Sequence, residues 1–295
     1  YFAGKPETEY SGCIGSHSQF IFIINHPNYF LIVMEPEHFG KTYKRILAMI
    51  EERKGIVFLV LDPPNQKPEI AGQLAKVAEK AGVAGIAVGG SIGAQGLLLE
   101  QTILEIKKNC SLPVVLFPGN IATLNEKADA IYFMSMLNST DPYYLSGAQI
   151  VSSMPIQRMK LEVIPTSYII VEPGMAVGHV GRAHLIPRTI PYLAGATALA
   201  GQYMGSHFII LEAGGGAPEP VPPALIKAAA RLVSVPIVVA GGVKTEKQIF
   251  DTVEAGASIV HVGAAIERTN GDLKLAEKIL SGLVKSAEKA GKTRQ

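Results

Sequence analysis

Residues 207–223 read HFIILEAGGGAPEPVPP, and this stretch decides how the rest of the chain is interpreted. It begins with an apolar run, 208–211, that is typical of a buried strand, and continues into one carboxylate, Glu212, and three glycines, 214–216. A carboxylate at a strand end, beside backbone that carries no side chains, can hold an anionic ligand and act on it. The simpler interpretation is a strand, a surface acid and a flexible loop, and the stretch alone does not choose between the two.

Outward from this stretch, the chain alternates short apolar runs with longer helical patterns. Eight apolar runs lie at 55–61, 85–88, 113–117, 130–134, 167–171, 207–211, 236–240 and 258–262. Helical patterns lie at 42–53, 68–81, 97–108, 191–204, 222–233, 245–255 and 272–290. Most of the runs are apolar on both faces, as strands of a parallel sheet covered by helices must be. The alternation therefore predicts an α/β protein with the (β/α)8 TIM-barrel architecture.

One connection is too short for this plan. Only residues 118–129 separate the third and fourth runs, whereas a crossover between parallel strands usually takes a dozen or more residues including its helix. We therefore expect the third outer helix to be absent or reduced to a turn, which would open the barrel wall to a long ligand. Two longer insertions come after it, at 137–165 and 172–191.

The beginning of the chain is set apart from the rest. Residues 1–33 differ in composition from the later residues and lack their alternation of strand and helix patterns. Because the chain begins at Tyr1, Met34 is a candidate for the natural start. We interpret 1–40 as an N-terminal extension that is poorly ordered or not native. Residues 41–295 are interpreted as a single barrel domain.

Composition and charge argue against several classes of protein. The 295 residues carry a formal net charge of +2 and no run of Lys and Arg, so nucleic acid is not an expected partner. The longest apolar candidate, 20–34, is interrupted at 25–28, and no run reaches the roughly 18–20 residues that span a bilayer. Two cysteines, Cys13 and Cys110, cannot build a disulfide framework, which indicates a reduced, cytoplasmic setting.

Glycines follow each of the last three predicted strands. Residues 214–216 follow the sixth strand, Gly241 and Gly242 the seventh, and Gly263 the eighth. Barrels of this class carry their chemistry at the carboxyl ends of the strands, and often bind phosphate there through backbone N–H groups. Tight turns would explain one glycine pair, but three glycine sites at one corner of the barrel favour a phosphate site.

Two oxygen-bearing residues lie at the opposite side of the predicted barrel mouth. Asp62 ends the first strand and Ser91 follows the second. A carboxylate with a nearby hydroxyl could form part of the shell of Mg²⁺, which prefers oxygen ligands. On spacing alone, however, the simpler assignment is that both residues cap the turn or helix that comes after them.

Several motifs in order resemble those of the geranylgeranylglyceryl phosphate synthase family of archaeal lipid enzymes, to which the bacterial heptaprenylglyceryl phosphate synthases are related. The similarity covers residues 42–268. The motifs are LDPPNQK at 61–67, VGGS at 88–91, LFPG at 116–119, FMSMLNS at 133–139, LEVIP at 161–165, YIIVEPG at 168–174, the stretch 211–223 and GG at 241–242.

The resemblance implies a Mg²⁺-dependent prenyltransferase of archaeal membrane lipid biosynthesis, which joins sn-glycerol 1-phosphate to geranylgeranyl diphosphate by an ether bond and releases pyrophosphate. It implies that Asp62 and Ser91 lie on the metal and diphosphate side. It implies that Glu212 holds the glycerol hydroxyls and deprotonates the attacking one, while Tyr168 forms a wall beside the allylic carbon. The implied glycerol phosphate site comprises Ile210, Leu211, Glu212, Ala213, Gly214, Gly215, Gly216, Gly241, Gly242, Gly263 and Ala264.

The chain departs from the family pattern at three positions. The family usually has Tyr at the position of Ile210, so one hydroxyl contact to the acceptor would be absent here. It often has Thr or Asn where Ala264 stands, which leaves only a backbone contact after the eighth strand. It commonly has an acidic residue where Pro64 stands.

The resemblance also implies a homo-oligomer, either a dimer or a larger ring, and peripheral contact with a membrane surface because the donor is a lipid. The length of the prenyl chain stays open, and the apolar stretch 193–203 is a candidate wall for its groove. A phosphate-binding isomerase or aldolase is the alternative enzyme, although no strand contains a lysine for a Schiff base. A phosphate-binding scaffold without activity is the alternative outside enzymes.

Overall fold

A computed structural model describes residues 40–294, which contain eight strands and ten α-helices. The strands are β1 Ile56–Leu61, β2 Gly85–Gly90, β3 Val114–Pro118, β4 Ala130–Met136, β5 Glu162–Ile170, β6 Phe208–Glu212, β7 Ile237–Ala240 and β8 Ile259–Val262. The helices are α1 Lys41–Arg53, α2 Pro68–Lys80, α3 Gly96–Asn109, α4 Ala148–Met159, α5 Met175–Val180, α6 Pro191–Tyr203, α7 Pro223–Ala230, α8 Glu246–Glu254, α9 Ala264–Glu267 and α10 Leu273–Thr293.

The strands close into one parallel barrel in sequence order, with β8 paired to β1. The predicted (β/α)8 architecture is therefore confirmed. The extension predicted for 1–40 lies outside the described residues, except for Gly40. Among the helices of residues 40–294, none combines the length and the apolar character that crossing a membrane requires.

The barrel has two hydrophobic layers because successive side chains of a strand point to opposite faces. Phe58, Tyr132 and Phe208 are fully buried in the interior layer. Leu59 and Val239 are fully buried in the outer layer, between the strands and the helices. Burying a side chain of this size stabilises the fold by about 1.5–3 kcal/mol. The two layers fix the strand ends, and therefore the positions of the residues just beyond them.

The connection from β3 to β4 contains no α-helix. A single 3-10 turn, Ile121–Thr123, is all that it forms, and the Asn120 side chain caps this turn by accepting the N–H of Ala122 at 2.8 Å. The expectation that the third outer helix is reduced to a turn is confirmed. This connection therefore adds no helix to the outer wall of the barrel between β3 and β4.

The two insertions contain helices that the sequence patterns did not predict. The first forms a π-helical turn, Tyr143–Gly147, that continues into α4, and the second contains the short helix α5. Helix α4 lacks an amphipathic pattern because Ile150, Val151 and Met154 are all more than half exposed. It also contains Pro155, a residue that normally ends or kinks a helix.

Candidate active site

One cavity of about 480 Å³ opens at the carboxyl ends of the strands. It brings together most of the residues predicted from the sequence. The predicted residues in its wall are Asp62, Ser91, Tyr168, Glu212, Gly215, Gly216, Gly241, Gly242, Gly263 and Ala264. Loops that are far apart in the chain thus meet at one site, as the barrel architecture requires.

Four residues predicted to contact the acceptor do not line this cavity. Leu211 and Ala213 are fully buried in the layer between barrel and helices, so their side chains point away from the mouth. Ile210 is fully buried in the barrel interior, in register with Tyr168. The N–H of Gly214 is occupied, since it donates to Oε1 of Glu212 at 2.6 Å. Of the side chains of β6, only that of Glu212 lines the cavity.

Glu212 is the last residue of β6 and is only 4% exposed. Its Oε1 accepts the Gly214 N–H, and its Oε2 accepts the hydroxyl of Tyr168 at 3.4 Å. Burial, with a smaller contribution from Asp62, raises the pKa of Glu212 to about 7, although the two hydrogen bonds act in the opposite direction. A carboxyl group that titrates near neutral pH is suited to accept a proton during a reaction.

Tyr168 is held on two sides. Its hydroxyl contacts Glu212, and its ring lies edge-to-face with Phe117 at a centroid distance of 5.6 Å. Burial, and then the neighbouring Glu212 carboxylate, raise the pKa of Tyr168 well above its usual value, so the phenol stays protonated. The aromatic face of Tyr168 is therefore a neutral wall of the cavity that can lie against a developing positive charge.

The floor of the cavity contains three aromatic residues that the sequence patterns did not indicate as functional. They are Phe117, Tyr132 and His261. The Tyr132 hydroxyl lies 3.2 Å from Nε2 of His261, while Nδ1 of His261 has no hydrogen-bond partner among the residues that the structure describes. Burial lowers the pKa of His261 to about 3, so its ring is neutral. The carboxylates above the floor therefore face no cationic side chain from below.

Residues from three loops line the cavity, and each has a backbone N–H group. They are Gly215 and Gly216 after β6, Gly241 and Gly242 after β7, and Gly263 and Ala264 after β8. Within residues 40–294, none of these six N–H groups donates a hydrogen bond to a backbone carbonyl. Free N–H groups grouped beside a cavity can bind the oxygens of a phosphate. The side chains here are too small to block its approach.

Gly241 allows these loops to approach each other closely. Its φ is +81°, and a Cβ at this position would lie 2.5 Å from Oε1 of Glu212 and 2.6 Å from the Gly214 nitrogen. No L side chain fits there without displacing the carboxylate. The glycine is thus required by both its conformation and its neighbours.

Substitution Gly241→Ala is expected to weaken the binding of inorganic phosphate by at least about tenfold, because displacement of the loop loses one or more hydrogen bonds to a charged ligand. It should also destabilise the fold by about 1–3 kcal/mol through backbone strain. Gly205→Ala is the matched control, since Gly205 has a φ of +92° but, among residues 40–294 other than its chain neighbours, no atom within 4 Å of its Cβ position. Calorimetric titration and urea unfolding measure both effects. Equal phosphate affinities in the two variants would contradict the role of close packing.

Asp62 and Ser91 do not cap the elements that come after them. Asp62 precedes the 3-10 turn Pro63–Asn65 without a side-chain capping bond, and α3 begins at Gly96, with Gln95 as its N-cap residue. Burial, followed by repulsion from Glu267, raises the pKa of Asp62 to about 7. Neither side chain therefore caps the element that comes after it. The carboxyl groups of Asp62 and Glu267 lie close enough to repel each other.

This pair of acids fits a magnesium ion of the kind bound together with a substrate. In residues 40–294, no group of three or more His, Cys, Asp or Glu could hold a metal ion on its own. Mg²⁺ does not need such a group, because it keeps several waters and is often bound by one or two carboxylates with substrate phosphates. Asp62, with Glu267 near it and Ser91 in the same wall, provides oxygen ligands of that kind.

The charged side chains that line the cavity are all acidic. They are Asp62, Glu212 and Glu267, and no Lys or Arg of the described residues lines it. A ligand with phosphate groups would therefore be held by backbone N–H groups and by a bound cation, not by basic side chains. A Schiff-base aldolase needs a lysine as its nucleophile, and no lysine of the described residues lines the cavity.

An apolar arm of the cavity extends to the position of the missing helix. It is lined by Ile121, Leu124, Ile131, Phe133 and Tyr143. Ile131 and Phe133 pack with the outer hydrophobic layer, so the arm runs over the outside of β4. The predicted groove wall at 193–203 is wrong, because α6 packs on β5, β6 and α7 and none of its residues lines the cavity.

Comparisons with known proteins identify the relatives of this chain. A family model described as the PcrB family matches residues 47–283. The geranylgeranylglyceryl phosphate synthase of Thermococcus kodakarensis is 47% identical over 228 residues, which are 77% of this chain and 90% of that relative. The synthase of Pyrococcus abyssi is 46% identical over 230 residues, which are 78% of this chain and 91% of that relative.

A solved structure is similar over almost its whole length. The crystal structure of (S)-3-O-geranylgeranylglyceryl phosphate synthase from Thermoplasma acidophilum, in complex with its substrate sn-glycerol-1-phosphate, gives a TM-score of 0.78 at 34% identity. The similarity covers 83% of this chain and 98% of that one. The family match and the identity to these relatives, each over more than three quarters of the chain, show that this chain belongs to the PcrB family.

Proposed function

We propose that this chain is a geranylgeranylglyceryl phosphate synthase, which forms an ether bond between sn-glycerol 1-phosphate and geranylgeranyl diphosphate. The observation that carries the proposal is the position of Glu212. This buried carboxylate lies in one cavity with the free N–H groups of the glycine turns, with Asp62, and with the apolar arm. A phosphorylated acceptor, a diphosphate and an isoprenoid tail would each have a matching part of the wall.

In this reaction the primary hydroxyl of the acceptor attacks C1 of the donor. The new C–O bond forms as the bond from C1 to the diphosphate oxygen breaks, and pyrophosphate leaves with the electron pair. Glu212 accepts the proton of the hydroxyl, and a pKa of about 7 lets it do so near neutral pH. The N–H groups of Gly241 and Gly242 position the acceptor phosphate, so that one hydroxyl faces the donor.

Three further residues, Tyr168, Asp62 and Ser91, act on the donor. The ring of Tyr168 borders the reaction centre and remains neutral, so that it can stabilise positive charge on the allylic carbon. Asp62 and Ser91, with Glu267 close by, would hold Mg²⁺ against the diphosphate. A Mg²⁺ ion bound there would supply positive charge to the leaving group. The apolar arm would take up the prenyl tail, and the length of this arm over β4 would select the length of the tail.

The experiment that tests the function offers the purified protein labelled geranylgeranyl diphosphate with each glycerol phosphate enantiomer in turn, in the presence of Mg²⁺. Ether product is expected with sn-glycerol 1-phosphate and at least about tenfold less with the 3-phosphate, because a phosphate fixed at the glycine turns lets only one enantiomer present its hydroxyl to the donor. Shorter and longer prenyl diphosphates serve as controls for chain length. Absence of ether product with every donor and acceptor would refute the assignment.

A further inference from the structure

Arg188 connects two loops at the edge of the active site. It lies in the connection from β5 to α6, and its Nη1 donates to the carbonyl of Glu172, which follows β5, at 3.1 Å. Its Nη2 donates to the carbonyl of Pro220 at 2.9 Å and to the carboxylate of Glu219 at 3.3 Å. Both of these acceptors belong to residues 213–222, the connection from β6 to α7, which we call the glycine loop. One guanidinium therefore bridges the loops after β5 and β6.

Lys244 holds the same loop from the other side. It follows β7, and its Nζ donates to the carbonyls of Ala217 at 2.7 Å and Pro218 at 2.9 Å. Lys244 does not line the cavity, and its ammonium group is directed to these carbonyls. It therefore binds the loop and not a ligand in the cavity.

Between these two cations the glycine loop is packed against the turn after β7. Gly242 has a φ of +78°, and a Cβ on it would overlap the backbone of Glu219 and lie 2.6 Å from the nitrogen of Pro220. The segment that carries Gly215 and Gly216 thus has its position fixed relative to Gly242. Their N–H groups form the candidate phosphate site, so its geometry depends on how firmly the loop is held.

We propose that Arg188 and Lys244 are positioning residues, which clamp the glycine loop in the conformation that binds the phosphate of the acceptor. The identity of the acceptor rests on the proposed function, whereas the clamp itself concerns any phosphate at this site. A loop that samples other conformations binds less tightly, because the apparent dissociation constant rises as the competent fraction falls. The clamp therefore acts on acceptor affinity and not on the chemical step.

The contacts of Arg188 differ in importance. The side chain of Glu219 is 73% exposed, so its ion pair with Arg188 is screened by solvent. The contacts to the two carbonyls tie separate loops together, and they need the planar fork of a guanidinium. A lysine at position 188 would present one ammonium group and could not reach both loops in the same way. Charge alone is thus not the property that the clamp requires.

The test compares Arg188→Met and Arg188→Lys with the wild type and with Arg182→Met. Arg182 lies in the same connection and carries the same charge, but its side chain is 72% exposed, and its one ion pair within the described residues is with Asp141 at 3.6 Å. Calorimetry measures the binding of inorganic phosphate and of sn-glycerol 1-phosphate to each protein. Steady-state kinetics measure kcat and the KM of each substrate separately.

We expect Arg188→Met to raise the dissociation constants of phosphate and of glycerol phosphate about tenfold, as for a loop that is competent one tenth of the time. Arg188→Lys should restore little of this affinity, and Arg182→Met should bind like the wild type. The KM of the acceptor should rise, while kcat and the KM of the prenyl diphosphate stay within about twofold of the wild type. Glu219→Gln should leave the affinity for phosphate unchanged.

Unchanged phosphate affinity in Arg188→Met would overturn the clamp. So would a lower Tm accompanied by equal changes in kcat and both KM values, because that pattern indicates a general loss of structure. Failure of the clamp can be distinguished from failure of the proposed function. If phosphate binding weakens as expected but no acceptor is prenylated, the clamp stands and the function falls. If ether product forms but Arg188→Met binds phosphate normally, the proposed function stands and the clamp is refuted.

Discussion

Replacing Glu212 by Gln is expected to lower kcat by about 10²–10⁴-fold, the usual contribution of a positioned general base. Gln keeps the size and the hydrogen-bonding capacity of the side chain, but it cannot accept the proton of the acceptor hydroxyl. The measurement is the rate of ether formation with both substrates saturating. Glu254→Gln is the matched control, since Glu254 is an exposed residue at the end of α8. Turnover near the wild-type rate would remove Glu212 from the role of base.

The same variant should change the pH dependence. Burial raises the pKa of Glu212 from 4.5 to about 7, so the wild-type rate should rise as the pH increases through 7. Burial also raises the pKa of Asp62 to about 7, but a bound Mg²⁺ would keep this carboxylate ionised, so the profile is measured at saturating Mg²⁺. In Glu212→Gln the part of the rise that belongs to Glu212 should disappear. The pH–rate profile of kcat would reveal this directly.

Stability separates a lost base from a misfolded variant. Between pH 4.5 and about 7, the folded protein binds more protons at Glu212 than the unfolded chain does. The contribution of Glu212 to stability is therefore full below pH 4.5 and is lost as the pH rises through 7. At 1.36 kcal/mol per pKa unit, ionisation of this buried group would cost the fold about 3 kcal/mol at pH 8. Glu212→Gln avoids that cost and should be no less stable than the wild type there.

Replacing Asp62 by Asn is expected to lower kcat/KM for the prenyl diphosphate by about 10²–10³-fold, similar to the loss of one strong electrostatic contact to a reacting group. The Asn amide has no negative charge with which to hold a divalent cation beside Glu267. Mn²⁺ can serve as the probe, because its binding in the presence of diphosphate is measurable by electron paramagnetic resonance without turnover. Weaker Mn²⁺ binding and a higher Mg²⁺ requirement are expected together.

Asp251→Asn provides the matched control for this change. Asp251 is an acidic residue of α8 whose partner, Lys247, has an 82% exposed side chain, so its loss should affect neither metal binding nor rate. An Asp62→Asn protein whose Mg²⁺ dependence equals that of the wild type would exclude Asp62 as a metal ligand. In that case the repulsion between Asp62 and Glu267 would need another explanation.

Most of the residues that could be predicted from the sequence lie at or just beyond the end of a strand. Because all strands of a parallel barrel end at the same face, Asp62 and Glu212 could be placed at one site without knowledge of any distance. Ile210 shows the limit of this reasoning. It points inward from β6 as Glu212 does, but it lies one layer deeper and is fully buried. Depth within the barrel depends on the stagger of the strands, which a single sequence does not reveal.

Other parts of the site depend on contacts between distant segments. Phe117, Tyr132 and His261 lie within or at the end of strands whose patterns indicate only burial, and their meeting in the floor results from closure of the barrel. Arg188 lies in an insertion without periodicity and acts on carbonyl groups, which any residue could provide. Helix α4 exposes apolar residues, and so it lacks the alternation by which a helix is recognised.

The missing third helix has a thermodynamic consequence for how this barrel can accommodate a lipid. A closed void of about 480 Å³ within a packed core would destabilise the protein by about 12 kcal/mol, at about 24 cal/mol per Å³. That is comparable to the entire free energy of unfolding of an ordinary domain, about 5–15 kcal/mol. Here the cavity opens at the strand ends, and its apolar arm lies where a peripheral helix is absent, while Phe58, Tyr132 and Phe208 fill the interior. Substitutions in residues 119–129 can therefore change the volume available to a prenyl tail without repacking the core that holds the carboxylates.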